Sequence, residues 1–128
     1  MDELHKTILV VEDEIALRTA LSLKLKNAGF TVLQAEDGEE GLQTALEKHP
    51  DMLLVDIIMP KMDGLTMLEK LQEDEWGKQA KVIILSNLGD PEQQSEKAVA
   101  GKYEYFVKAD LELEQFIHTL KERLGLPA

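Results

Sequence analysis

Four short apolar runs constrain the fold of this chain more than any other feature of its sequence. Residues 8–11, 52–55, 82–85 and 105–107 are built from aliphatic and aromatic residues. Strands that form continuous apolar runs are buried on both faces, as is typical of a parallel sheet covered by helices. Each run is followed at once by a polar or charged residue: Glu12, Asp56, Ser86 and Lys108. Because ligands of open α/β sheets bind outside the carboxyl ends of the strands, these side chains are predicted to meet at one edge.

Segments with helical periodicity alternate with strands along the whole chain. Strands are predicted at residues 7–11, 31–35, 51–56, 81–86 and 103–107. Helices are predicted from Ile15 to Gly29, at 38–48, from Leu65 to Leu71, from Asp90 to about Ala100, and from Leu113 to near Gly125. The residues expected to face inward include Ile15, Leu17, Leu21, Leu25, Leu42, Ala45 and Leu46. This alternation predicts one domain over residues 1–128, a flavodoxin-like doubly wound five-stranded parallel sheet in the order 2-1-3-4-5 with five helices in three layers.

The charge balance excludes several classes of partner. The 128 residues include 14 Lys and Arg against 25 Asp and Glu, a formal net charge of −11 at pH 7. Such a surface repels nucleic acid and anionic lipid. There is no cysteine for a disulfide framework or a thiolate metal site. Since the sequence shows neither a signal peptide nor an apolar run of membrane-spanning length, a cytoplasmic protein is expected.

Acidic side chains follow two predicted strands that are neighbours in this order. Glu12 and Asp13 come directly after the first strand, and Asp56 ends the third. Three carboxylates so close repel one another unless a cation neutralises them, and oxygen ligands without His or Cys suit a hard divalent ion. We therefore predict a Mg²⁺ site, with Mn²⁺ as an alternative ion. The competing interpretation is that Glu12 and Asp13 only cap the first helix, with Asp13 at its N-cap. Capping explains Asp56 poorly, because Ile57 and Ile58 follow it rather than a helix.

Lys108 and Ser86 complete the predicted edge. A carboxylate that accepts a phosphoryl group becomes an acyl phosphate with several charged oxygens, and a divalent cation, an ammonium and a hydroxyl can each bind one of them. Taken singly, a Lys after a strand is usually solvated, and a Ser in a loop is usually a turn residue. Their joint placement with the acids at four strand ends favours a phosphoryl-binding site.

At these residues the chain resembles the receiver domain of two-component response regulators, over essentially its whole length. The matching segments are residues 8–14 (ILVVEDE), 54–64 (LVDIIMPKMDG), 84–86 (ILS) and 105–108 (YFVK). The second segment is highly specific, since it combines the acceptor Asp with Met-Pro and then Asp-Gly. With no output domain in this sequence, the chain is similar to the stand-alone, chemotaxis-type form.

The resemblance implies a phosphorylation-dependent signalling switch. Asp56 would receive a phosphoryl group from a histidine kinase or a phosphotransfer protein. Asp13, Asp56 and the backbone carbonyl of Ile58 would bind Mg²⁺, with Glu12 acting largely through water. The protein would not be an enzyme in the usual sense, although it would assist its own phosphorylation and dephosphorylation.

The resemblance also implies how phosphorylation is read out. Ser86 would hydrogen-bond the phosphoryl group, Lys108 would pair with it, and Tyr105 falls at the place of the switch aromatic. Their movement would change a face made by the fourth helix, fifth strand and fifth helix, and so control binding of a downstream protein. A monomer is expected, with dimerisation of the phosphorylated form left open and no direct nucleic-acid or membrane partner.

Three positions depart from the family pattern. Ala109 stands where the family usually has a proline in a cis bond, and a cis bond before a non-proline residue costs roughly 2.5–4 kcal/mol. The presence of Ala109 in place of proline therefore bears on the direction in which the neighbouring Lys108 points. Asn87 is larger and more polar than the usual small residue, so we expect it to alter phosphoryl access and the dephosphorylation rate. Ile58 is apolar and cannot orient a water by hydrogen bonding, which favours a long-lived phosphorylated form.

Three other functions compete with this interpretation. A phosphatase of the haloacid-dehalogenase type needs a second Asp two residues after its nucleophile, where this chain has Ile58. A flavodoxin-like mononucleotide binder needs a hydroxyl- and glycine-rich loop after the first strand, but the acids at residues 12–14 would repel a phosphate. A receiver that acts as a phosphorylation-independent scaffold would not need the intact acid set with Ser86 and Lys108.

Overall fold

The structure is a computed structural model that describes residues 6–57, 61–86, 103–108 and 111–126. The strands are β1 (Thr7–Val11), β2 (Thr31–Ala35), β3 (Met52–Asp56), β4 (Val82–Ser86) and β5 (Glu104–Val107). The helices are α1 (Ile15–Asn27), α2 (Gly38–Lys48), α3 (Gly64–Leu71), a short 3-10 helix (Gly77–Gln79) and a C-terminal helix (Leu113–Arg123). The helix predicted from Asp90 to about Ala100 lies outside the described residues.

The five strands form one parallel sheet in the order β2-β1-β3-β4-β5, which confirms the predicted topology. β1 and β3 are neighbours at the point where the strand order reverses. In register, Val11 lies opposite Val55, and Asp56 lies opposite Leu85. The carboxyl ends of β1, β3, β4 and β5 therefore lie along one edge, and the polar residues that follow them are brought together there.

Each central strand contributes alternate residues to two cores, because successive side chains of a strand point to opposite faces. On one face, Leu9 and Val11 of β1 pack with buried residues of α2 and α3. On the other face, Ile8 and Val10 pack with α1 and the C-terminal helix. This arrangement explains why β1, β3 and β4 are apolar at nearly every position rather than at every second one.

Two of the predicted inward-facing residues are on the surface, and those assignments were wrong. Ile15 is 69% exposed, whereas Leu21 and Leu25 are fully buried. Ile15 lies about 200° around the helix from Leu17, at 3.6 residues per turn, and so does not share its stripe. Leu46 is 36% exposed, because it lies about 100° around α2 from the buried Ala45, beyond the face that packs on the sheet.

The described helices are also too short or too polar for a membrane. None of them combines the length and the apolar composition that crossing a bilayer requires.

Candidate functional site

An acidic cluster lies at the carboxyl edge of β1 and β3. Carboxylate oxygens of Glu12, Asp13 and Asp56 all lie within 4.8 Å of one another. Glu12 is fully buried and Asp56 is 4% exposed, whereas Asp13 is exposed. The cluster therefore has a dry inner side and an outer side open to solvent. The convergence that the sequence predicts for these three acids is present.

Lys108 supplies positive charge at the buried side of this cluster. Its Nζ lies 3.0 Å from Oδ2 of Asp56, to which it donates a hydrogen bond, and 2.8 Å from Oε1 of Glu12. The contact with Glu12 is an ion pair without hydrogen-bond geometry at the carboxylate. Burial pulls the pKa of Lys108 down, but the two carboxylates together outweigh it and the pKa ends above its ordinary value. The ammonium thus stays charged at neutral pH.

The charges of the four groups do not balance. Three carboxylates and one ammonium leave a formal excess of two negative charges, one on the buried side with Glu12, Asp56 and Lys108 and one on the exposed Asp13. The potential ligands are all carboxylate oxygens, two buried and one exposed, with no sulfur or imidazole among the described residues of the cluster. This chemistry fits a hard divalent cation.

Asp13 does not cap α1, so that interpretation of Asp13 was wrong. The N-cap residue of α1 is Glu14, and its side chain makes no capping hydrogen bond. Glu12 does help to hold the start of the helix, because its Oε2 accepts a hydrogen bond from the backbone N–H of Glu14 at 3.0 Å. The exposed carboxylate of Asp13 is left to face the cluster rather than the helix.

The start of α3 presses against the main chain of Asp56. The N–H of Gly64 donates to the carbonyl oxygen of Ile57 at 2.7 Å, and a Cβ at Gly64 would collide with the carbonyl oxygen of Asp56. Asp63 caps this helix by accepting a hydrogen bond from the N–H of Thr66 at 2.8 Å. The Asp-Gly pair of the sequence motif is thus explained: the acid starts the helix, and the glycine lets it approach the end of β3.

Ser86 and Tyr105 lie on the two strands that complete the edge. Ser86 is the last residue of β4, is fully buried, and lies opposite Val107 in the sheet register. Tyr105 lies opposite Ile84, is half-buried, and packs against the core under α2 and α3. The predicted contributions of Ile58 and Asn87, and the geometry of the bond between Lys108 and Ala109, concern residues outside those described.

Sequence reasoning missed one cation beside the site. Arg18 of α1 donates a hydrogen bond from NH1 to the carbonyl oxygen of Glu12 at 2.8 Å, and its NH2 lies 4.0 Å from Glu36. Its side chain is 14% exposed. No spacing in the sequence indicates this contact, because it depends on how α1 folds back over the end of β1.

Comparison with known proteins gives a consistent result. A family model described as the response regulator receiver domain matches residues 8–121. The chain is 36% identical over 124 residues to the probable transcriptional regulator ycf27 of Cyanophora paradoxa, covering 95% of this chain and 51% of that protein. It is 33% identical over 101 residues to the DNA-binding dual master transcriptional regulator RpaA of Synechocystis, covering 79% of this chain and 42% of that protein. The chain thus spans about half the length of these curated relatives.

Solved structures show the same architecture. A putative response regulator from Chloroflexus aurantiacus is 29% identical with a TM-score of 0.83, over 94% of this chain and 98% of that one. The chemotaxis response regulator CheY4 of Vibrio cholerae is 28% identical with a TM-score of 0.83, over 93% of this chain and 98% of that one.

Proposed function

This chain belongs to the response regulator receiver domain family, and from that premise we propose that it is a phosphorylation-dependent switch with Asp56 as its phosphoacceptor. One observation carries the proposal. The carboxylate of Asp56 ends the central strand β3, is almost fully buried, and lies 3.0 Å from the ammonium of Lys108 beside two further acids. A carboxylate in such a polar pocket is held in place for reaction with an electrophile, and the ammonium offsets the charge that it acquires.

The proposed transfer exchanges one bond to phosphorus for another. A carboxylate oxygen of Asp56 attacks the phosphorus of a phosphohistidine. The new O–P bond forms as the P–N bond breaks, the electron pair stays on the imidazole nitrogen, and that nitrogen takes up a proton. Lys108, whose pKa is raised, remains an ammonium throughout and stabilises the negative oxygens next to Asp56.

We propose that Glu12, Asp13 and Asp56 hold Mg²⁺, together with the backbone carbonyl of Ile58. The excess of two negative charges and the oxygen donors support this choice of ion. When bound, Mg²⁺ supplies positive charge that lowers the repulsion between the carboxylates and an incoming phosphoryl group. Asp13, being exposed, would bind the ion from the solvent side.

The proposed partners are a histidine kinase or phosphotransfer protein as donor and a protein as downstream target. Ser86 would bind the phosphoryl group from β4, and Tyr105 would respond on β5. The relatives named as transcriptional regulators are about twice as long as this chain. With a net charge of −11, the portion described by this sequence is suited to contacts with proteins rather than with nucleic acid.

The proposal is tested by incubating the protein with acetyl phosphate and Mg²⁺ and following its intact mass. We expect one phosphoryl group per chain, mapped to Asp56 by borohydride trapping and peptide mass spectrometry. Asp56→Asn should abolish the label, and removal of divalent ions with EDTA should reduce it strongly.

Glu69→Gln is the matched control, because Glu69 is an exposed carboxylate on α3 away from the cluster. It should be labelled like the wild type. An unlabelled wild type, or equal labelling of Asp56→Asn, would overturn the proposal.

A further inference from the structure

Arg18 holds the main chain between the two acids that precede α1. The carbonyl oxygen of Glu12 accepts the hydrogen bond from NH1 of Arg18 at 2.8 Å, and the N–H of Glu12 donates to the carbonyl oxygen of Ala35 at 3.0 Å. The main-chain groups of Glu12 are therefore held on both sides. The guanidinium that does this is largely buried and spans from the end of β1 to Glu36 in the loop after β2.

This contact fixes the position of Asp13 through the geometry of the peptide bond. The carbonyl of Glu12 and the N–H and Cα of Asp13 lie in one peptide plane, so holding the carbonyl oxygen restricts the orientation of that plane and with it the position of the Cα of Asp13. On its other side, Asp13 is followed by Glu14, whose N–H is bound to the side chain of Glu12 at 3.0 Å. Asp13 itself does not cap the helix. Its exposed carboxylate depends for its position on these two anchors.

We propose that Arg18 is a positioning residue that sets Asp13 for a small octahedral cation and so makes the site selective for Mg²⁺ over Ca²⁺. The inference rests on the proposed metal site. It gives a role in that site to Arg18, which does not itself bind the ion. Mg²⁺ demands near-ideal geometry at short distances, whereas Ca²⁺ accepts irregular ligand sets at longer ones. A carboxylate whose backbone is held by a fixed peptide plane can meet the strict geometry of Mg²⁺. A carboxylate that has lost this restraint can still bind Ca²⁺, which accepts irregular ligand positions.

The positive charge of Arg18 weakens the binding of a cation, whereas its hydrogen bond to Glu12 is expected to strengthen the binding of Mg²⁺. A guanidinium so near the cluster repels any cation, so its removal on electrostatic grounds alone would strengthen the binding of both ions. Loss of the hydrogen bond weakens the binding of Mg²⁺ specifically. The two effects can therefore be distinguished by whether the loss of Arg18 tightens or weakens metal binding, and by whether Mg²⁺ and Ca²⁺ binding change equally.

The experiment measures the dissociation constants of Mg²⁺ and Ca²⁺ by calorimetry for the wild type, Arg18→Met and Arg18→Lys. Loss of a partner that orients a metal ligand typically costs 10- to 100-fold, and for Arg18→Met we expect Mg²⁺ binding about 10-fold weaker. Ca²⁺ binding should change by less than about 3-fold, because that ion tolerates displaced ligands. Arg18→Lys retains the charge but not the planar fork, and it should also weaken Mg²⁺ binding.

Lys26→Met is the matched control, since it removes one positive charge from the exposed end of the same helix. Lys26→Met should leave the ratio of the Mg²⁺ and Ca²⁺ dissociation constants unchanged. Thermal unfolding and the amide resonance of Asp13 in the metal-free protein give a second readout: Arg18→Met should remain folded and shift that resonance.

The possible outcomes separate the inference from the proposed function. Equal weakening of both ions, tighter binding of both, or no change would overturn the role of Arg18 while leaving the metal site in place. A wild type that binds neither ion would instead overturn the proposed metal site, and the selectivity inference with it.

Discussion

Lys108 and Glu12 form a buried ion pair of 2.8 Å across the carboxyl edge of the sheet, although they follow strands that are not neighbours. β3 and β4 lie between β1 and β5, which separates the outer pair by roughly 14 Å at the usual strand spacing. The two side chains span this distance above the end of β3. Lys108 thereby ties together the three strands that carry Glu12, Asp56 and itself, and its ammonium lies next to the carboxylate proposed to react.

Replacement of Lys108 by Met should make the metal-free protein markedly less stable. The change leaves the carboxylates of Glu12 and Asp56 buried without their cation, and breaking a buried pair in this way costs about 3 kcal/mol. Urea unfolding in EDTA measures the loss. Mg²⁺ should restore part of it in the variant. Lys61→Met is the control, because its ion pair with Asp37 is solvent-exposed on the lysine side and should be worth less than about 1 kcal/mol. Equal losses in the two variants would contradict this account of Lys108.

The pair between Glu104 and Arg123 should give a measurable pH dependence. Two hydrogen bonds of 2.7 Å from the guanidinium hold the pKa of Glu104 below its ordinary value of 4.5. Because the folded pKa is the lower one, the stabilisation is present above about pH 4.5 and is lost as the pH falls through the folded value. Carboxyl ¹³C NMR of Glu104 should show the lowered pKa. Arg123→Gln should return it toward 4.5, whereas Lys121→Gln, which removes a like charge from the same helix, should not.

The central strands β1, β3 and β4 were predictable to within one residue because a parallel strand buried on both faces is a nearly uninterrupted apolar run. The observed β1 and β2 match the predicted bounds, and β3, β4 and β5 each begin one residue later. The convergence of Glu12, Asp13 and Asp56 followed from the same logic, since strand ends in a parallel sheet share an edge.

Other features depended on contacts that leave no periodic signal. Ile15 begins α1 but faces solvent, because helix phase is set by where the helix meets the sheet. The choice of Glu14 over Asp13 as N-cap depends on the direction of the main chain after β1. The contact of Arg18 with a carbonyl oxygen likewise requires the tertiary fold. Each involves one side chain and a local backbone direction, which composition and spacing do not specify.

Gly64→Ala should impair both folding and the candidate site. The added methyl group would collide with the carbonyl oxygen of Asp56, so the start of α3 or the end of β3 must shift. Overpacking of this kind costs about 3 kcal/mol at the upper end of its usual range. Because the displaced atoms include the main chain of Asp56, labelling by acetyl phosphate should slow even at a temperature where the variant is folded.

The control for this change is Gly125→Ala. Gly125 has a φ of 72°, and apart from the residue itself and its two chain neighbours no described residue has an atom within 4 Å of the place that an alanine methyl group would take. Alanine there meets only the cost of a left-handed backbone, about 1 kcal/mol. It should be labelled at the wild-type rate. Normal labelling of folded Gly64→Ala would show that the end of β3 tolerates the shift.

Trp76 should report on the opposite edge of the sheet and not on the acidic site. Its ring stacks on His49 with centroids 4.3 Å apart and planes within 5°. His49 precedes β3, and Trp76 precedes the short 3-10 helix before β4, so the pair lies at the amino ends of these strands. His49→Asn, which keeps a residue tolerant of the φ of 47°, should change the emission of Trp76 and cost about 1 kcal/mol. His118→Asn, on the C-terminal helix, should leave the emission unchanged. Mg²⁺ should also leave it unchanged in the wild type; a Mg²⁺-dependent change that disappears in Asp13→Asn would mean that the two edges are coupled.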